Sequence, residues 1–199
     1  MVEDVNFVRQ YFNEVMTIAS KVSFTKVEEA VNVLRTTRDF CEGRVFVLGV
    51  GGSAGNASHL VNDLRKLCNI EAYCPTDNVP ELTARTNDEG FDTVFEEYLR
   101  VSRFDRDDTI IVLSVGGGSE ERNVSVGLIK AIKYVKQQAG CSIAIVGKPD
   151  GYAASRCDTA IVIPCPAPER VTPHSEAFQA VVWHCIISHP NLQINKTKW

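Results

Sequence analysis

The 199-residue sequence has no apolar run long enough to cross a bilayer, no CxxC pair, no low-complexity tract, no internal repeat and no long linker. Each absence removes a class of protein. A transmembrane helix needs about 20 consecutive apolar residues, whereas residues 1–20 mix polar and apolar side chains at helical spacing. The same stretch lacks the apolar centre of a secretory signal, so a cytoplasmic protein is expected. Basic charge is also scarce. Lys and Arg total 21 against 25 Asp and Glu, a formal net charge of −4. The densest basic pair, Arg65-Lys66, lies close to Asp63, and Lys130, Lys133 and Lys136 stripe one solvated helix face. With no continuous basic surface to hold a phosphate backbone, nucleic acid and anionic membranes are not expected partners. The seven cysteines (Cys41, Cys68, Cys74, Cys141, Cys157, Cys165, Cys185) are odd in number and unpaired in spacing, which implies reduced thiols.

What is present describes a folded domain. Hydrophobic residues make up 44% and charged residues 23% of the chain, the balance of a globular α/β unit with one core. Apolar residues recur every three or four positions from residue 5 to 40, through Val8, Tyr11, Phe12, Val15, Ile18 and Ala19, then Val27, Ala30, Val31 and Leu34. Two amphipathic helices are therefore predicted before any strand. Residues 44–50 form a β-branched apolar run ending at glycine, as in a parallel strand buried on both faces. The pattern then alternates: a helix over 54–68, strands over 69–73, 109–113, 142–146 and 159–163, helices over 91–101, 119–138 and 152–156, a proline-rich loop over 164–173, and a last helix over 175–188. Strand alternating with helix predicts an α/β fold with a five-stranded parallel sheet covered on both sides. The expected organisation is a helical extension over 1–40 and one domain over 41–199.

In open α/β sheets, ligands bind beyond the carboxyl ends of the strands. Two strands end in glycine and serine there: Gly49-Val50-Gly51-Gly52-Ser53-Ala54 and Ser114-Val115-Gly116-Gly117-Gly118-Ser119. Glycines let the backbone approach an anion, helix N-termini offer free N–H groups, and serines add hydroxyl donors. One such turn is often only geometry; two in one domain point to a phosphate site. His59 and Asp63 are four apart and share a helix face, a spacing that suits a metal ligand pair, a proton shuttle or a plain solvated ion pair. Glu176 and His184, eight apart, lie on one broad face of a helix whose Phe178, Val181, Val182 and Trp183 also suit a core.

Gly51-Gly52-Ser53, His59, Asp63, the segment Asn87-Asp88-Glu89-Gly90-Phe91, the Ser114 to Ser119 turn and His184 stand in the order found in phosphoheptose isomerases. The sequence resembles this family over most of its length, and the Asn-Asp-x-Gly-Phe element is its most telling part. The resemblance implies a single SIS domain, a homotetramer, and an aldose–ketose isomerase that converts sedoheptulose 7-phosphate to D-glycero-D-manno-heptose 7-phosphate through an enediol. It implies Asp63 and His184 as the catalytic pair. Gly52, Ser53, Asn87, Asp88, Ser114 and Ser119 would bind substrate, and His59, Asp63, Glu176 and His184 would hold zinc. The chain departs from the family at Asp63 (commonly Glu), Glu176 (commonly Gln), Val115, Gly116 and Gly118, where Thr, Ser and Asn are common. Two other readings stay open: a non-catalytic phosphosugar-sensing module, and a dinucleotide-binding domain, since residues 49–54 fit G-x-G-x-x-A and Glu71 follows at a suitable distance.

Overall fold

The computed structural model describes residues 2–198, with side chains from residue 6 onward; Met1, Trp199 and the side chain of Val5 lie outside the described residues. The strands are β1 (Val45–Gly49), β2 (Ala72–Tyr73), β3 (Thr109–Ser114), β4 (Cys141–Val146) and β5 (Thr159–Val162). All pair in parallel, in the order β2-β1-β3-β4-β5. The helices are α1 (Val2–Lys21), α2 (Phe24–Asp39), α3 (Gly52–Cys68), α4 (Val79–Asp88), α5 (Val94–Val101), α6 (Val126–Gln137), α7 (Tyr152–Arg156) and α8 (Val171–Ile187).

The strands read as unbroken apolar runs because successive side chains enter different cores. Val45, Val47, Ile111, Leu113, Ile143 and Ile145 face a core shared with α1, α2, α3 and α8. Phe46, Leu48, Ile110, Val112, Ala144 and Val146 face a second one, against α5, α6 and α7. The result is three layers with the sheet in the middle.

The edge strand expected over 69–73 is only Ala72–Tyr73, and three helix boundaries also differ from the expectation. The helix expected from residue 119 starts only at Val126. Residues 119–124 instead form a small hairpin, in which Ser119 N–H donates to Val124 C=O at 2.9 Å and Val124 N–H returns the bond at 3.0 Å. Asn123 and Ser125 have φ of 52° and 51°, left-handed conformations that a helix cannot accommodate. The expected helix over 91–101 divides into a 3-10 turn at Phe91–Thr93 and α5. The last helix begins at Val171 and takes in the end of the expected loop, because Pro173 falls in its first turn, where no N–H is needed. Helix α4 was not foreseen: it buries no residue and so carries no core-facing stripe.

The strand order decides where a ligand can sit. From β1 the chain runs outward to β2 and then returns across β1 to β3, so β1 and β3 are neighbours, with Gly49 opposite Leu113. The turns after these two strands therefore lie side by side at the point where the order reverses, the preferred ligand crevice of such sheets.

Candidate active site

The second turn presents amides, and three of its carbonyls are already engaged. Val115 C=O accepts from Gly147 N–H, Gly117 C=O from Ala153 N–H and Gly118 C=O from Tyr152 N–H, each at 2.9 Å. The Gly116 and Gly118 amides have no partner among the described residues. Gly117 and Gly118 hold φ of 71° and 86°, and such turns make concave anion sites from consecutive N–H groups. Ser114 Oγ accepts from Gly117 N–H at 3.0 Å, and Ser119 Oγ accepts from Arg122 N–H at 3.3 Å. Both hydroxyls thus keep their own protons free to donate to a ligand.

The first turn differs. Ser53 is buried, and its hydroxyl donates to Gln179 Oε1 at 3.0 Å, so its proton is already committed. What this turn offers a ligand is the backbone N–H groups at the start of α3, which no helix partner can satisfy. Beside the first turn, a cleft of about 510 Å³ is lined by Val50, Asp92, Asn123, Ser125 and Gly127, running to the start of α6. The hydrogen bond from Lys130 to Asp92 keeps that carboxyl below its ordinary pKa, so it is a fixed negative charge in the cleft wall.

Helices α3 and α8 lie side by side and run in the same direction, which brings residues more than 120 positions apart into register. Glu176 sits against Gly52, where a Cβ would fall 2.4 Å from Glu176 Oε2. A turn further on, Asn56 Nδ2 donates to Glu176 C=O at 2.9 Å and to Gln179 Oε1 at 3.1 Å. Beyond that, the His59 and His184 rings stand 5.5 Å apart. Each pair follows from the last by one to two helical turns on both helices.

His59, Asp63 and His184 present one ligand atom each, all within 4.8 Å of one another. His59 Nε2 is 3.8 Å from Asp63 Oδ2; the imidazole is largely exposed and the carboxylate mostly covered. His184 Nδ1 lies 2.8 Å from Ala180 C=O. A carbonyl can only accept, so Nδ1 carries a proton, and in the neutral ring Nε2 then has the lone pair that a metal or a proton acceptor requires. Two imidazoles and a carboxylate with one open position are the donor set of catalytic zinc sites, so the residues fit that ion. Glu176 is not in this group; it lies against Gly52, at the N-terminal end of α3. Asn87 and Asp88 are exposed at the end of α4, and Asn87 Nδ2 donates to Asp88 Oδ1 at 2.7 Å. Phe91 links them to the cleft, since it lines both the cleft and the hollow beside Asn87.

Sequence reasoning missed Asn56, Gln179 and a buried cluster that anchors α8. Glu14 on α1 accepts from Arg170 Nη2 at 2.6 Å, Arg170 Nε at 2.8 Å and Gln10 Nε2 at 3.1 Å, and His174 Nε2 lies at 2.7 Å. The Arg170 hydrogen bond, then that of His174, pulls the Glu14 carboxyl from 4.5 down to about 2. No spacing signals these partners, which stand 156 and 160 positions away.

No protein-family model matches the chain. The phosphoheptose isomerase of Syntrophotalea carbinolica is 32% identical over 188 residues, which cover 89% of this chain and 88% of the relative. The chain belongs to the phosphoheptose isomerase family. A second relative, the lincomycin biosynthesis protein LmbN of Streptomyces lincolnensis, is 31% identical over 150 residues; these cover 72% of this chain and 54% of that longer protein. The phosphoheptose isomerase structure from Neisseria gonorrhoeae superposes with a TM-score of 0.76 at 24% identity, covering 92% of this chain and 96% of that one. The three-layer fold is thus that of the SIS-type phosphoheptose isomerases. The family assignment takes the place of the dinucleotide reading; Glu71 is exposed and accepts from Tyr73 Oη at 2.6 Å.

Proposed function

We propose that this member of the phosphoheptose isomerase family interconverts a ketose phosphate and its aldose phosphate, with sedoheptulose 7-phosphate and D-glycero-D-manno-heptose 7-phosphate as the pair. The observation that carries the reading is the second turn. Three of its carbonyls are engaged while two amides and two hydroxyl protons stay free. In this reading the phosphate rests on the Gly116 and Gly118 amides and the Ser114 and Ser119 hydroxyls. The amides of Gly52 and Ser53 and the side chains of Asn87 and Asp88 hold the sugar.

The isomerisation moves a proton from carbon 1 to carbon 2, or back, through an enediol. Asp63 takes the carbon-bound proton as base, and His184 carries a proton between the two oxygens. His59, Asp63 and His184 would hold zinc; Glu176, expected as a fourth ligand, stands on α8 against Gly52, outside this group. That ion, when bound, polarises the carbonyl and stabilises negative charge on its oxygen. A sensing module would need the turn but not the His59–Asp63–His184 group, which is why the enzymatic reading is preferred.

The same reading divides the chain at residue 40, with the N-terminal helices serving assembly of a cytoplasmic homotetramer. Phe12 and Met16 on α1 are 62% and 63% exposed, and an apolar groove between α2 and α8, lined by Val22, Phe24 and Val181, continues that surface. No described helix is long and apolar enough to cross a membrane. The test is to incubate the purified protein with a panel of ketose phosphates and follow aldose formation. Activity on sedoheptulose 7-phosphate is expected, and inactivity on every member would return the sensing reading. Light scattering should give four times the chain mass; a concentration-independent monomer would remove the tetramer.

A further inference from the structure

We infer that Arg122 is the cationic anchor of the substrate's phosphate, presented by the 119–124 hairpin and held in reserve by Asp150. The inference rests on reading the second turn as the phosphate site. A phosphate dianion bound only by two amides and two hydroxyls is left without a compensating charge, and at Val115, Gly116 and Gly118 this turn has no side-chain donors to add. The hairpin supplies what the turn lacks. It grows directly from Ser119, and the Arg122 amide and Nε lie 3.3 and 3.4 Å from Ser119 Oγ. The guanidinium therefore lies beside a hydroxyl proposed to bind phosphate, and no hydrogen bond among the described residues engages its Nη atoms, which suit a bidentate contact with phosphate oxygens.

Its one ionic partner among the described residues is Asp150, with Oδ2 at 3.8 Å from Nη2. Both side chains are more than half exposed, so that pair is weak and readily exchanged for a dianion. The hairpin's own acids do not compete equally: Glu120 is bound by Lys133, and Glu121 is exposed. Asp150 is held near the turn because its neighbours in the loop to α7 bond the turn's carbonyls. It thus serves as the counter-ion when no phosphate is present. Lys148, one residue beyond Gly147, is a basic residue near the end of β4 and serves as the control.

The test is calorimetric titration of inorganic phosphate into the wild-type chain, Arg122→Ala, Arg122→Lys, Lys148→Ala, Asp150→Asn and the Arg122→Ala/Asp150→Asn double variant, with circular dichroism as a check on folding. Arg122→Ala should raise the phosphate Kd about tenfold or more, with partial recovery in Arg122→Lys, as expected for losing a charge-assisted fork. Asp150→Asn should tighten binding about two- to threefold only when Arg122 is present. In kinetics on an active ketose phosphate, KM should follow Kd while kcat changes little. Arg122→Ala binding phosphate like the wild type, a loss confined to Lys148→Ala, an Asp150→Asn gain that persists without Arg122, or a wild-type chain that binds no phosphate would each overturn the anchor. A protein that shows the expected phosphate pattern but turns over no sugar phosphate would sink the proposed function and leave the anchor standing.

Discussion

Replacing Ser53 by alanine separates a structural hydroxyl from a ligand-binding one. In the family pattern this serine is a substrate contact, yet here it is 1% exposed and its proton goes to Gln179 Oε1 at 3.0 Å. The alanine variant loses that one neutral hydrogen bond. Gln179 Oε1 is not orphaned, because Asn56 Nδ2 still donates to it at 3.1 Å. The cost should therefore be that of a bond and not of an unsatisfied buried group, about 1 kcal/mol. For a chain of this size that corresponds to a fall in Tm of about 2–4 °C. Phosphate affinity should hold, since the phosphate rests on the second turn and the first turn's backbone amides remain in place. Ser114→Ala should behave in the opposite way, weakening phosphate by about 1–3 kcal/mol as a bond to a charged group is lost. Differential scanning calorimetry and phosphate titration on both variants measure the two quantities. If Ser53→Ala left Tm unchanged and cost tenfold or more in phosphate affinity, the assignment of its hydroxyl to Gln179 would be wrong.

Asp63→Asn keeps the side chain's shape and removes the base, so turnover should drop by about 10² to 10⁴-fold with phosphate affinity nearly intact, and His184→Gln should do likewise; near-normal turnover in both would move the chemistry elsewhere. Equilibrium dialysis against zinc followed by elemental analysis should find one ion per chain in the wild type and none in His59→Ala. Equal zinc in the two proteins would dissociate the His59–Asp63–His184 group from metal binding. Glu14 predicts an acid limb. Its folded carboxyl is held at about 2 against an ordinary 4.5, chiefly by Arg170, so its stabilisation is complete above about pH 4.5 and fades as pH falls through about 2. Glu14→Gln should flatten Tm against pH across that interval, and parallel curves for the two proteins would refute the assignment.

The sequence by itself determined the elements whose signal is local. Four strands announced themselves as apolar runs because parallel strands bury both faces, and β1, β3, β4 and β5 lie within a residue or two of the expected bounds; the edge strand β2, only Ala72–Tyr73, has no such run. The His59–Asp63 neighbourhood followed from helical spacing, and both glycine–serine turns were visible at strand ends. Backbone conformation at single residues was not legible: the left-handed Asn123 and Ser125 delay α6 to Val126 and create the hairpin that carries Arg122. Nor was α4, which buries nothing and leaves no apolar stripe to read. Tertiary structure alone decided what meets what. The strand order sets the two turns side by side, and the parallel register of α3 and α8 brings His184 to His59 while leaving Glu176 against Gly52. It also commits Ser53's proton to Gln179 and Glu14 to Arg170 and His174. Contacts between residues over a hundred positions apart depend on how layers pack, and no periodicity within either segment encodes them.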